Sequence, residues 1–128
     1  MGLIHRFGND FSIAKQLIEI AQIEADIKVE GSRVIVIGKS SVCKAMTELL
    51  GCAAAEDTAA VEYIAKENKF DIAFLFIDTE DGLLNMLTQD KAVVIDMINY
   101  KKGKTVYYDN LAHYRRIRVV SLFEDEKY

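Results

Sequence analysis

Apolar positions along this chain change their spacing several times, and each change marks an element. Between residues 11 and 27, Ile13, Leu17 and Ile20 recur at helical intervals beside Ala14, Ile18 and Ala21, with Lys15, Gln16, Glu19 and Glu24 mostly outside that face. Such a stripe predicts an amphipathic helix, and Asp10 before it is a candidate N-cap. Ile27-Lys28-Val29-Glu30 then alternates apolar with polar, ahead of Gly31-Ser32. Alternation before a two-residue turn predicts a short antiparallel strand.

The next pattern has no polar interruption. Val34-Ile35-Val36-Ile37 is wholly β-branched, the composition of a strand covered on both faces. A helix is expected over 42–50, stopped by Gly51, followed by a short strand over 52–55. A second helix is expected from Asp57 or Thr58 to about Asn68, with Ala60, Val61, Ile64 and Ala65 inward. Residues 70–77 form another apolar run ending at Asp78, 80–89 read as a short helix, and Ala92-Val93-Val94-Ile95 is a third buried strand ending at Asp96. From Asn99 the pattern changes, with strands expected over 105–108 and 117–123.

Strands alternating with helices of about ten residues predict an α/β fold, a three-layer sandwich around a mostly parallel, doubly wound sheet of Rossmann-like or flavodoxin-like type. The C-terminal strands are expected to extend one edge, with antiparallel pairing an open alternative. The N-terminal helix is an addition that covers one sheet face. The chain has 128 residues and no proline, so a proline-rich linker is excluded and one domain over 1–128 is expected.

Composition adds limits. An apolar content of 51% is enough for a core. No apolar run approaches the roughly 18 residues of a membrane span, and no signal peptide is readable. Cys43 and Cys52 form no disulfide framework and lack the further soft ligands of a zinc site, so both are expected reduced, in a cytoplasmic protein.

Ligands of open α/β sheets bind beyond the carboxyl ends of the strands, at the switch point of strand order. Those ends carry Gly38-Lys39-Ser40-Ser41, Asp78-Thr79 and the residues from Asp96 to Asn99. A glycine leading into a helix N-terminus offers backbone N–H groups and positive dipole to an anion. Lys39 adds charge, and Ser40 and Ser41 add donors. Glu56 and Asp57 follow Gly38 by 18 and 19 residues, near the spacing at which a dinucleotide fold places its ribose-binding carboxylate. In this respect the segment resembles a Rossmann nucleotide-binding half with a degenerate glycine motif, since Ser40 and Cys43 stand where its second and third glycines would be. The resemblance implies an anionic small molecule, a nucleotide among the candidates, bound at Gly38 to Val42, with Glu56 or Asp57 as ribose contact. A Walker A loop is excluded, because Arg33 stands where its first glycine belongs.

The order of elements over 33–96 is also similar to that of receiver domains, with Asp78 in the place of the phosphorylated residue. Gly38 and Lys39 occupy the place of the receivers' metal-binding acids, which removes the electrostatic basis of that chemistry.

The acids Asp78, Glu80, Asp81 and Asp96 have two readings, a metal or acid–base cluster and, favoured, helix capping with a solvated rim. His5 and His113 have no partner at a telling spacing, so no hydrolase triad is readable and no catalytic residue is assigned. The net charge of −4 is unevenly spread: residues 51–100 carry ten acids against three bases, and 101–118 carry six bases against one acid. Tyr100, Tyr107, Tyr108 and Tyr114 interleave with those bases. Overall acidity argues against nucleic acid. A subunit interface through Tyr107, Tyr114, Arg115 and Arg116 fits the residue types enriched at interfaces, making a homo-oligomer the alternative function.

Overall fold

A computed structural model of the chain describes residues 2–97 and 117–121. Its elements are α1 (Gly2–Glu24), β1 (Val34–Ile37), α2 (Ser41–Leu50), β2 (Ala53–Ala55), α3 (Thr58–Ala65), β3 (Phe70–Leu75), α4 (Asp81–Leu87), β4 (Thr88–Asp96) and β5 (Arg118–Ser121). The five strands form one sheet in the order β2-β1-β3-β4-β5, and every neighbouring pair is parallel. This is the flavodoxin-like order, whose switch point lies between β1 and β3.

The uninterrupted apolar strands follow from that arrangement. One side of the sheet presents Ile35, Ile37, Ala73, Leu75 and Val94 to Val61 and Ala65 of α3 and to Leu84 and Leu87 of α4. The other presents Val34, Val36, Ile72, Phe74, Val93 and Ile95 to α1 and α2, through Ala14, Ile18, Ala21, Cys43, Ala45 and Met46. Chain direction explains the division. The step from β1 to β2 and the step from β2 back to β3 run opposite ways, so right-handed crossovers put α2 and α3 on opposite faces.

Four expectations are corrected. The last strand does extend the edge, but it runs parallel to β4, pairing Val93 with Arg118 and Asp96 with Ser121. A parallel step needs a crossover of about a dozen residues or more, which residues 97–117 supply. The strand expected over 105–108 lies outside the described residues.

Residues 27–30 are not a strand. The Val29 N–H donates to Gln22 Oε1 at 3.1 Å and the Val29 carbonyl accepts from the Ser32 N–H at 3.1 Å, so local bonds take the groups a ladder would need. Ile27 and Val29 still pack against the α1–α2 core, which accounts for their apolar character.

The first helix begins at Gly2, leaving Asp10 inside it, and it closes at Asp26, whose φ of 53° ends the helical path. The fourth helix stops at Leu87, where β4 begins early. Thr88 pairs with Phe70, and the register then shifts so that Val93 pairs with Ile72, leaving a bulge that contains Lys91 at φ 70°. Gln89 Nε2 donates to Asp71 Oδ1 at 2.9 Å and ties the bulge to β3.

Candidate functional site

The backbone ladder runs one residue past the strands at their carboxyl ends. The Gly38 N–H donates to the Ala55 carbonyl (2.9 Å), the Phe76 N–H to the Ile37 carbonyl (2.8 Å) and the Met97 N–H to the Leu75 carbonyl (2.9 Å). Gly38 and Phe76 therefore meet at the switch point between β1 and β3. Gly38 is buried, with φ at 150°, and a Cβ added there would lie 2.7 Å from Cys43 Sγ and 2.7 Å from Phe76 Cβ. The glycine is required by protein packing. On the side where a Gly38 side chain would point lie the Cys43 thiol and the Cβ of Phe76.

The neighbouring candidates are partly committed to the fold. Ser40 is the N-cap of α2: its hydroxyl accepts from the Cys43 N–H at 3.2 Å and donates to Cys43 Sγ at 3.2 Å. Asp57 is the N-cap of α3 and accepts from the Ala60 N–H at 2.9 Å. Lys39, Ser41 and Glu56 are exposed. Because Ile37 pairs with Ala55, the loops after β1 and β2 stand side by side, which brings Gly38 to Ser41 and Glu56-Asp57 to one corner of the sheet. Asp78 is exposed, two residues beyond Phe76. Phe76, not Asp78, is the residue that directly follows β3.

The acids after β3 and β4 differ from a uniformly solvated rim. Asp96, the last residue of β4, is 1% exposed. Glu80 holds the N-cap position of α4 without a side-chain cap bond, and burial pushes the Asp81 carboxyl up from its ordinary range. Thr79 is buried and its hydroxyl donates to the Ile77 carbonyl at 3.3 Å. Asp78, Asp81 and Asp96 are each engaged by neighbours. Among the described residues, no group of three or more His, Cys, Asp or Glu could hold a metal ion.

Both cysteines are free. Cys43 is buried beside Gly38. Cys52 is half-buried, and burial pushes its thiol up to about 11, against the opposing effect of its own backbone. A thiol held so far above neutral pH is a poor nucleophile. Tyr107, Tyr114, Arg115 and Arg116 lie outside the described residues, as does His113.

Sequence reasoning missed two features. One is the close packing of Phe76 and Cys43 against Gly38 at the switch point. Its signal was the apolar run continuing through Phe76 and Ile77 beyond the strand. The other lies at the opposite end of the sheet, where residues 29–34, residues 49–53 and Phe70 enclose an open depression of about 530 Å3. Reasoning that looks only beyond carboxyl ends does not search there.

No protein-family model, curated protein or solved structure matches the chain. Among the described residues, no helix is long and apolar enough to cross a membrane.

Proposed function

We propose that this chain is a non-enzymatic interaction or assembly module, which works through its surface instead of through a ligand held at the switch point. The observation that supports the reading is the packing of Phe76 and Cys43 against Gly38, each 2.7 Å from where a Cβ would be. A fold of this type ordinarily keeps that crevice for a ligand. Here Cys43 and Phe76 pack closely against the Gly38 turn, and the capping bonds of Ser40 and Asp57 engage two of the polar groups around it. The favoured contact surface is the Tyr- and Arg-rich segment with Tyr107, Tyr114, Arg115 and Arg116, and the favoured partner is a second copy of the chain. Sedimentation velocity at micromolar concentration tests this. A dimer that Tyr114→Ala or Arg116→Glu dissociates is the expected result. A strict monomer whose melting temperature rises with a nucleotide overturns it.

A second reading keeps an anionic small molecule, including a nucleotide, at the same corner. Exposed Lys39 and Ser41 at the N-terminus of α2 favour it. It requires a thermal shift with nucleotides or phosphorylated metabolites that Lys39→Ala abolishes. Shifts unchanged by Lys39→Ala and Ser41→Ala count against it.

A further inference from the structure

The depression at the amino ends of β1, β2 and β3 has the dimensions of a small-molecule site. Its volume of about 530 Å3 falls within the usual range of about 300–1,000 Å3. Val34, Leu49, Leu50, Ala53 and Phe70 give it apolar walls, and Leu49 is left 46% exposed on one of them. Gly31 and Gly51, on its lining, have φ of 85° and 59°, and a Cβ on either would meet nothing within 4 Å. These glycines serve turns and leave space, whereas Gly38 is packed shut.

One cation is held at the edge of this space. Arg33 Nη2 donates to Asn68 Oδ1 at 3.2 Å, and the guanidinium carbon stands 5.4 Å from the centroid of the Phe70 ring. The guanidinium's own partners are a neutral amide and an aromatic face, while the nearby Asp71 carboxylate is engaged by the Arg33 backbone N–H and by Gln89; a guanidinium has five N–H donors in a planar fork. The other charges around the depression set the orientation and valence of an occupant. The carboxyl end of α2, at Leu49 to Gly51, carries partial negative charge, so an anionic head belongs on the Arg33 side. Exposed Glu30 also lines the depression, which disfavours a dianion.

We propose that this depression binds a small apolar monocarboxylic acid, its hydrocarbon body against Leu49, Leu50, Val34 and Phe70 and its carboxylate on Arg33. The proposal does not rest on the assembly reading above, and its site lies at the opposite end of β1 from Gly38.

Titration of the full chain with octanoate, octan-1-ol and octylamine, followed by amide NMR, tests it. Octanoate is expected to bind saturably, about ten-fold or more tighter than the alcohol, the scale of a hydrogen bond to a charged group. It is also expected to shift the amides of Gly51 and Cys52, which line the depression. Arg33→Gln should lower octanoate affinity to that of the alcohol, and Lys44→Gln should leave it unchanged. Arg33→Gln keeps the backbone N–H bond to Asp71 Oδ2 (2.9 Å) that secures this segment. Should that variant nevertheless fail to fold, Glu30→Lys at an exposed position is expected to tighten octanoate binding. Equal affinity for the three probes, preference for the amine, no shift at Gly51 and Cys52, or indifference to both Arg33→Gln and Glu30→Lys overturns the proposal.

Discussion

The two ends of the sheet are built from similar parts and finished in opposite ways. Each has a glycine of positive φ beside a strand end, a half-buried or buried cysteine and a phenylalanine. At the carboxyl end the three pack on one another, with Cys43 Sγ and Phe76 Cβ both 2.7 Å from where a Gly38 side chain would begin. At the amino end Gly31, Gly51, Cys52 and Phe70 border open space, and Arg33 lies over the ring of Phe70. Residue type alone therefore does not say whether a glycine-bearing loop is a cradle or a packing joint. What a Cβ would meet there does say it.

Substitutions can break this comparison, and the largest effect is expected at Gly38. Gly38→Ala forces a side chain into two fixed neighbours at a backbone conformation that L-residues avoid. Overpacking of about 1–3 kcal/mol and strain of about 1–3 kcal/mol together give a loss of about 2–6 kcal/mol in urea unfolding. Phe76→Ala removes the ring but keeps the Cβ beside Gly38, and is expected to cost about 2 kcal/mol, below the fully buried range because Phe76 is only partly covered. At the open end Gly51→Ala meets no atom, so only the left-handed conformation opposes it. It is expected to cost about 1 kcal/mol in the same assay, well short of Gly38→Ala. Equal losses at Gly38 and Gly51 would remove the contrast.

Ser40→Ala deletes the cap of α2 and is expected to cost about 1 kcal/mol. It should also speed the reaction of Cys43 with a thiol reagent, since the same hydroxyl bonds both the Cys43 N–H and its sulfur.

The last effect concerns pH. The Cys52 thiol sits at about 11 in the fold against 9.0 ordinarily. Between those values the unfolded chain has lost the proton that the folded chain keeps, so stability is expected to fall as pH rises through this window. Below pH 9 the contribution is constant. Cys52→Ala should flatten this part of the profile, measured as the difference between the two proteins because other groups titrate there as well.

Much of the architecture was legible because burial on both faces leaves a plain mark. The runs at 34–37 and 70–77 contain β1 and β3, the run at 92–95 lies in the buried part of β4, and their alternate residues supply the two cores. The errors fall where two structures share one pattern. Residues 27–30 alternate like a strand, yet their apolar residues seal a loop against α1. Thr88 and Gln89 continue a helical stretch but are drawn into β4 by pairing with β3 and by the bond from Gln89 to Asp71. The direction of β5 depends on where the preceding crossover travels, which no local pattern records. The loop after β1 was located correctly as a glycine turn leading into a helix N-terminus. Whether it lay open depended on Phe76, 38 residues away in sequence and joined to it only by the pairing of β1 with β3.

The claim that protein atoms fill the switch point is tested most directly by following the Gly38 amide in an NMR titration with nucleotides and inorganic phosphate. The expected result is a Gly38 N–H that stays bonded to Ala55, exchanges slowly with solvent and does not shift at saturating ligand. A saturable shift of Gly38 through Val42 that Lys39→Ala abolishes would contradict it and return the site to a ligand.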